Sequence, residues 1–224
     1  MAARDARKPA PTLPGKALMS ATDPRETAVE LRALQGPVLL RALLLLAFGL
    51  VTVFWQPSDH WSWGDPGMTA VIWVSGIFMM LHGIVLIYLQ RSLNEHVNHR
   101  PGAERTAVQS FGLLYLLGGV LAVSFAREGA QLVLVAGLIY GIAGLTELLM
   151  GFRGTGRSAM AKDWKIAGGV TLLTAVALFL VGDMGSKAIF GVLGGGALVT
   201  GVFQLLAALS FRHDAADLER RSGA

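Results

Sequence analysis

The stretch Val135-Ala136-Gly137-Leu138-Ile139-Tyr140-Gly141-Ile142-Ala143-Gly144 holds no charged side chain and places a glycine at 137, 141 and 144. It lies inside a longer apolar run, Ala130 to Phe152, which reaches the roughly 20 residues a helix needs to cross a hydrocarbon core about 30 Å thick. Five further runs share this character: Val38 to Gln56, Met68 to Gln90, Ala107 to Ala126, Trp164 to Gly182 and Lys187 to Phe211. The chain therefore reads as an all-α membrane protein with six transmembrane helices. Composition agrees, because 53% hydrophobic against 15% charged residues leaves too little polar surface for a soluble domain of 224 residues.

The sequence contains no cysteine, which removes disulfides, thiolate zinc sites, iron–sulfur clusters and cysteine nucleophiles. The net charge of +4 does not indicate nucleic acid, because the basic residues sit at membrane boundaries where they orient helices. Counting places seventeen lysines and arginines in residues 1–41, 91–105, 153–165 and 212–221, against Arg127 and Lys187 alone in the intervening turns. The positive-inside rule then predicts both termini in the cytoplasm.

The chain divides into a cytoplasmic arm 1–37, a transmembrane domain 38–211 and a cytoplasmic tail 212–224. The arm lacks the apolar core of a cleavable signal peptide. Within it, Asp23-Pro24-Arg25-Glu26 combines an N-cap, a first-turn proline and a following acid, and Gly36-Pro37 supplies a stop, so a short amphipathic helix over about 24–35 is expected. Its Ala28, Leu31 and Leu34 would rest on the membrane surface or on the bundle's own loops.

Glycines seven apart recur in the second, fourth and sixth apolar runs as Gly76 and Gly83, Gly137 and Gly144, Gly194 and Gly201. The odd runs carry small residues at the same spacing: Ala42 and Gly49, Gly112 and Gly119, Gly168 and Ala175. Seven residues are nearly two turns, so each pair lies on one stripe and admits a neighbouring backbone. The pattern predicts one hairpin used three times, over 37–91, 107–153 and 164–212. Each unit has two spans, which makes the repeats parallel rather than inverted. The loop from Gln56 to Gly67 is longer than its counterparts.

Six helices arranged as three short hairpins, each with Gly-x6-Gly in its second helix, resemble the HdeD family of bacterial membrane proteins over about residues 37–212. The resemblance rests on diffuse glycine and aliphatic patterns such as residues 135–144. It implies a multi-pass protein of the bacterial cytoplasmic membrane associated with envelope or acid stress, and it carries no active-site residue.

Few ionisable groups fall inside the spans, and such groups are functional candidates by default because lipid makes them expensive. They are Arg41, His82 and Glu147, with Gln204 standing at the repeat position of Glu147. A transport or proton-relay site would use His82 and Glu147 on facing helices; a packing histidine and a carboxylate paired with Arg41, Lys165, Thr146 or Thr200 is the simpler reading. Ser75 and His82 are some 10 Å apart along one helix, too far for a nucleophile and its base. Asp59, His60 and Asp65, or Glu95, His96 and His99, lack diagnostic metal-ligand spacing. Gly191-x3-Gly195 and Gly137-x3-Gly141 have the spacing of tight helix crossings. No cofactor is called for. The expected function is a non-enzymatic integral membrane protein, with a small permease or proton-linked channel as the alternative; its partners are the lipid bilayer and either further copies of itself or other membrane proteins.

Overall fold

The computed structural model describes residues 24–55, 67–96, 102–155 and 160–221. Among these residues the chain is all helical, with α1 (Pro24–Phe54), α2 (Met68–His96), α3 (Gly102–Phe125), α4 (Gly129–Arg153), α5 (Ala161–Val181) and α6 (Ser186–Arg221). Five of the six are long and apolar enough to cross a membrane, and α3 carries a shorter apolar run, Gln109–Phe125. These helices are apolar on their outer faces as well as their inner ones. Leu173, Leu180 and Phe54 lie 70% or more exposed, a surface that is stable only against lipid. The chain is thus built as a multi-pass membrane protein.

The helices alternate in direction and close into a ring. Each packs against its neighbours in sequence, α6 returns to α1, and α2, α4 and α6 also touch one another. The most extensive contacts are α1 with α6, α2 with α3, and α4 with α5, and the in-register glycines explain why. A Cβ added at Gly83 would lie 2.5 Å from the Gly112 carbonyl oxygen, and one at Gly144 would lie 2.9 Å from that of Gly168. On the third contact, a Cβ at Gly49 would lie 3.0 Å from the Gly194 carbonyl oxygen, and one at Gly201 would lie 3.1 Å from the Leu46 nitrogen. The glycine stripes therefore seat each even helix on the odd helix that follows it around the ring, not on its own hairpin partner. Gly76 meets α3 at Val123 and Gly119, and Gly137 faces the Phe179 ring.

Two expectations are corrected. The helix starting at Pro24 does not stop at Gly36-Pro37 but runs unbroken to Phe54. Proline inside a helix removes one hydrogen bond and crowds the carbonyl four residues before it. Here the tertiary contact outweighs that penalty: Ala28, Leu31 and Leu34 are buried, and α6 continues past Phe211 to Arg221 alongside them. Arg32 Nη2 donates to Glu219 Oε2 at 2.6 Å across the two extensions. These apolar residues meet protein rather than a membrane surface. The second correction concerns Gly191-x3-Gly195, where an added Cβ would meet nothing within 4 Å at either position. That stripe makes no crossing within the chain, because it lies on the exposed face of α6. Gly141 likewise makes only an ordinary contact, with the Ala175 Cβ at 3.8 Å.

Short turns join α3 to α4 and α5 to α6 at the end opposite the termini. Arg127 closes the α3–α4 turn by donating to the carbonyls of Ala126 and Ser124 at 2.9 Å each. Gly185 (φ 91°) makes the α5–α6 turn in a region that disfavours any side chain. Residues 1–23, the loop holding Trp61 and Trp63, and Arg157 lie outside the described residues.

Candidate functional site

Arg41 is the hub of the interior. Its side chain is 4% exposed and that of Glu147 2%. Arg41 Nη2 donates to Glu147 Oε1 at 2.9 Å, and Arg41 Nε donates to His82 Nε2 at 3.0 Å. The Gln204 carboxamide is assigned with its oxygen toward the guanidinium, the orientation in which it accepts from Nη1 at 3.1 Å and Nε at 3.3 Å rather than facing donor with donor. All four polar residues singled out in the sequence thus meet in one network spanning α1, α2, α4 and α6. Lys165 takes no part: its Nζ sits 5.2 Å from the centroid of the Phe152 ring. Thr146 turns back to donate to the Ile142 carbonyl.

The network has a defined protonation pattern. His82 Nε2 accepts a hydrogen bond and must carry a lone pair, so the ring proton is on Nδ1. That Nδ1, together with Glu147 Oε2, Tyr140 Oη and Ser75 Oγ, is buried without a protein partner. Because the His82 ring is held by Arg41, it is not available to Ser75 as a base. Aromatic contacts fix the imidazole: its centroid is 4.6 Å from that of Tyr115, which in turn meets Tyr140 edge to face at 5.5 Å.

Beside the guanidinium is a cavity of about 10 Å³, the lower limit for one water molecule. Leu45, Tyr115 and Thr171 all reach it, and each stands three residues after the first small residue of its odd helix (Ala42, Gly112, Gly168). His82 and Thr200 reach it too, each directly before the second glycine of its even helix. Every helix therefore contributes a polar side chain to the interior. The sequence reading missed Tyr115, Tyr140 and Thr171 because a tyrosine or threonine in an apolar helix is unremarkable one at a time. Comparing the odd helices at this offset from their small residues was the signal that would have found Tyr115 and Thr171, and Tyr140 stands three residues after Gly137 on α4.

Apolar side chains flank the cluster on both sides. Seven residues from Arg41 along α1, Phe48 stacks on Phe78 at 3.8 Å between centroids and meets Phe190 edge to face at 5.8 Å. Toward the termini, Leu86, Leu89, Trp164 and Phe211 are buried. The Arg41 network thus lies between an aromatic layer and a largely apolar one, with the part-buried Gln90–Gln109 hydrogen bond at 3.2 Å on the side of the termini. Among the described residues no three His, Asp or Glu side chains group to hold a metal ion. Asp59, His60, Asp65 and His99 lie outside the described residues, and of Glu95 and His96 only the helical backbone is described.

No protein-family model, curated protein or solved structure matches the chain.

Proposed function

We propose that this chain is a non-enzymatic integral membrane protein of the bacterial cytoplasmic membrane, acting in envelope or acid-stress tolerance as the HdeD-like pattern implies. In this reading all six helices span, as three parallel hairpin repeats with both termini in the cytoplasm. The distribution of lysine and arginine supports the orientation. The glycine contacts at equivalent positions, and cavity residues at equivalent offsets, support the triplication. The stress association rests on resemblance, a weaker support than a site.

The observation that carries the non-transport reading is the placement of the polar cluster between apolar layers. A permease needs alternate or continuous access to its polar residues. Here Arg41 holds His82, Glu147 and Gln204 between an aromatic layer and an aliphatic one. The cavity beside them is what favours the permease alternative, since it places polar atoms at membrane depth. Reconstitution in vesicles containing a pH-sensitive dye separates the two. Proton flux equal to that of protein-free vesicles is expected; flux that depends on the protein and disappears in Glu147→Gln would overturn this reading and establish the permease.

A further inference from the structure

The cavity beside Arg41 brings several hydrogen-bond donors together with the apolar Leu45, Gly196 and Ala197. Arg41, His82, Tyr115, Tyr140, Thr171 and Thr200 reach it, whereas Glu147, although it holds Arg41 Nη2, is not part of the lining. Thr174 also reaches it, but its hydroxyl proton is committed to the Val170 carbonyl at 2.8 Å, and the Thr171 hydroxyl is hydrogen-bonded to Tyr115. Two of the lining side chains, Tyr140 through Oη and His82 through Nδ1, have a buried polar atom with no protein partner. A space that gathers donors beside a guanidinium has the chemistry of an anion site.

Charge decides when an anion can enter. Arg41 and Glu147 sum to zero, so an anion would bring an uncompensated negative charge into the membrane interior. A proton on Glu147 changes the balance, because arginine stays ionised and the buried guanidinium is left without a counter-charge. The charged and titratable groups of the cluster are Arg41 on α1, His82 on α2, Tyr115 on α3, and Tyr140 and Glu147 on α4. Among the described residues, α5 and α6 bring to it the hydroxyls of Thr171, Thr174 and Thr200 and the Gln204 amide. Among these groups, Glu147 is the open proton acceptor: its Oε2 has no partner, while His82 Nε2 is occupied by Arg41 and could take a proton only by giving up that bond.

We propose that this cavity is a proton-linked binding site for a water-sized halide, taken up together with one proton on Glu147 and held by Arg41, Tyr140 Oη, His82 Nδ1–H and the Thr200 hydroxyl. One proton and one anion enter together, and the net charge of the site stays at zero. The proposal needs neither a stress role nor transport. It also gives the buried ion pair a second state in which Arg41 exchanges a carboxylate for a halide.

The test is thermal unfolding of the full chain in lipid nanodiscs, with potassium fluoride, the water-sized halide, replacing potassium gluconate at constant ionic strength, at pH 5 and pH 7. Halide should raise the melting temperature at pH 5 and much less at pH 7. The apparent affinity should change by up to tenfold per pH unit, the slope that one linked proton sets. Glu147→Gln imitates the protonated carboxyl, so its halide-dependent shift should be as large at pH 7 as at pH 5. Tyr140→Phe should weaken halide binding at pH 5 without removing its pH dependence. Absence of any halide effect at pH 5 in the unsubstituted protein overturns the site, and that measurement stands even if Glu147→Gln fails to fold. A pH dependence unchanged in Glu147→Gln overturns the role of Glu147, and unchanged affinity in Tyr140→Phe overturns the placement in this cavity.

Discussion

Replacing Gly83 by alanine tests the packing that builds the ring. The added methyl would lie 2.5 Å from the Gly112 oxygen, 2.7 Å from the Leu116 nitrogen and 3.2 Å from the Leu116 Cα. All three atoms belong to the backbone of α3, so no rotamer change relieves the clash. Ordinary contact begins near 3.4 Å, which means that α2 and α3 must part by about 0.9 Å at the crossing. A radial gap of about 0.5–1 Å forfeits roughly a quarter to a half of the dispersion attraction between facing atoms. Overpacking of this kind costs about 1–3 kcal/mol, and the gain in helix propensity from glycine to alanine returns at most about 1 kcal/mol. A net destabilisation of about 1–2 kcal/mol is expected. The assay is reversible unfolding in mixed micelles followed by tryptophan fluorescence, with Gly191→Ala as the matched control, since a methyl there meets nothing within 4 Å. Equal unfolding midpoints for Gly83→Ala and Gly191→Ala would refute the reasoning.

Four more outcomes are expected. Glu147→Leu strands the buried Arg41 charge and should destabilise the protein by about 3–5 kcal/mol in the same assay, with Arg41→Met on that background recovering most of the loss; Glu147→Gln, which keeps an acceptor for Arg41, should fall well short of that figure. Gly194→Ala drives a methyl into the Thr52 side chain, so its unfolding midpoint should drop and the added substitution Thr52→Ala should restore it. Glu219→Gln removes the Arg32 ion pair, whose side chains are 61% and 37% exposed, and should change stability by less than about 1 kcal/mol, becoming negligible in high salt. An alkaline phosphatase fusion after Ser222 should be inactive and one at Gly185 active; the reverse would place the termini outside.

The parts of this fold legible in the sequence are those set by lipid. Apolar length gave the helices, and small residues seven apart gave the stripes along which they meet, because both are properties of single helices that the membrane constrains strongly. What the stripes could not say was which neighbour they face. Gly83 is equally able to admit α1 or α3, and the choice of α3 is made by the small residues Gly112 and Gly119 opposite, visible only once the ring is closed. Pro37 was misread for a related reason. A proline ends a helix when only local terms act, and it failed to do so here because the extension of α6 buries Leu31 and Leu34 beyond it. Glu147 and Arg41 were found because charge in a span is conspicuous. Tyr115, Tyr140 and Thr171 were not, since their significance lies in converging on one point from three helices.

That convergence bears on why a charged pair sits in this bundle at all. Isolated, a buried arginine and carboxylate rarely add stability over well-packed apolar side chains of similar volume, because desolvation offsets their attraction. The glycine crossings already supply close packing along α1·α6, α2·α3 and α4·α5, but van der Waals contact between smooth apolar helices leaves sliding along a stripe weakly opposed. Arg41 removes that freedom. Its donors reach α2 at His82, α4 at Glu147 and α6 at Gln204, and a shift of α4 by a single turn, about 5.4 Å, would leave both charges unpaired in the hydrocarbon interior. The glycines thus provide affinity between neighbouring helices, and the polar network fixes their register across the ring. A pair retained for register can also be the element that a proton loosens, because the same few atoms hold three helices to a fourth.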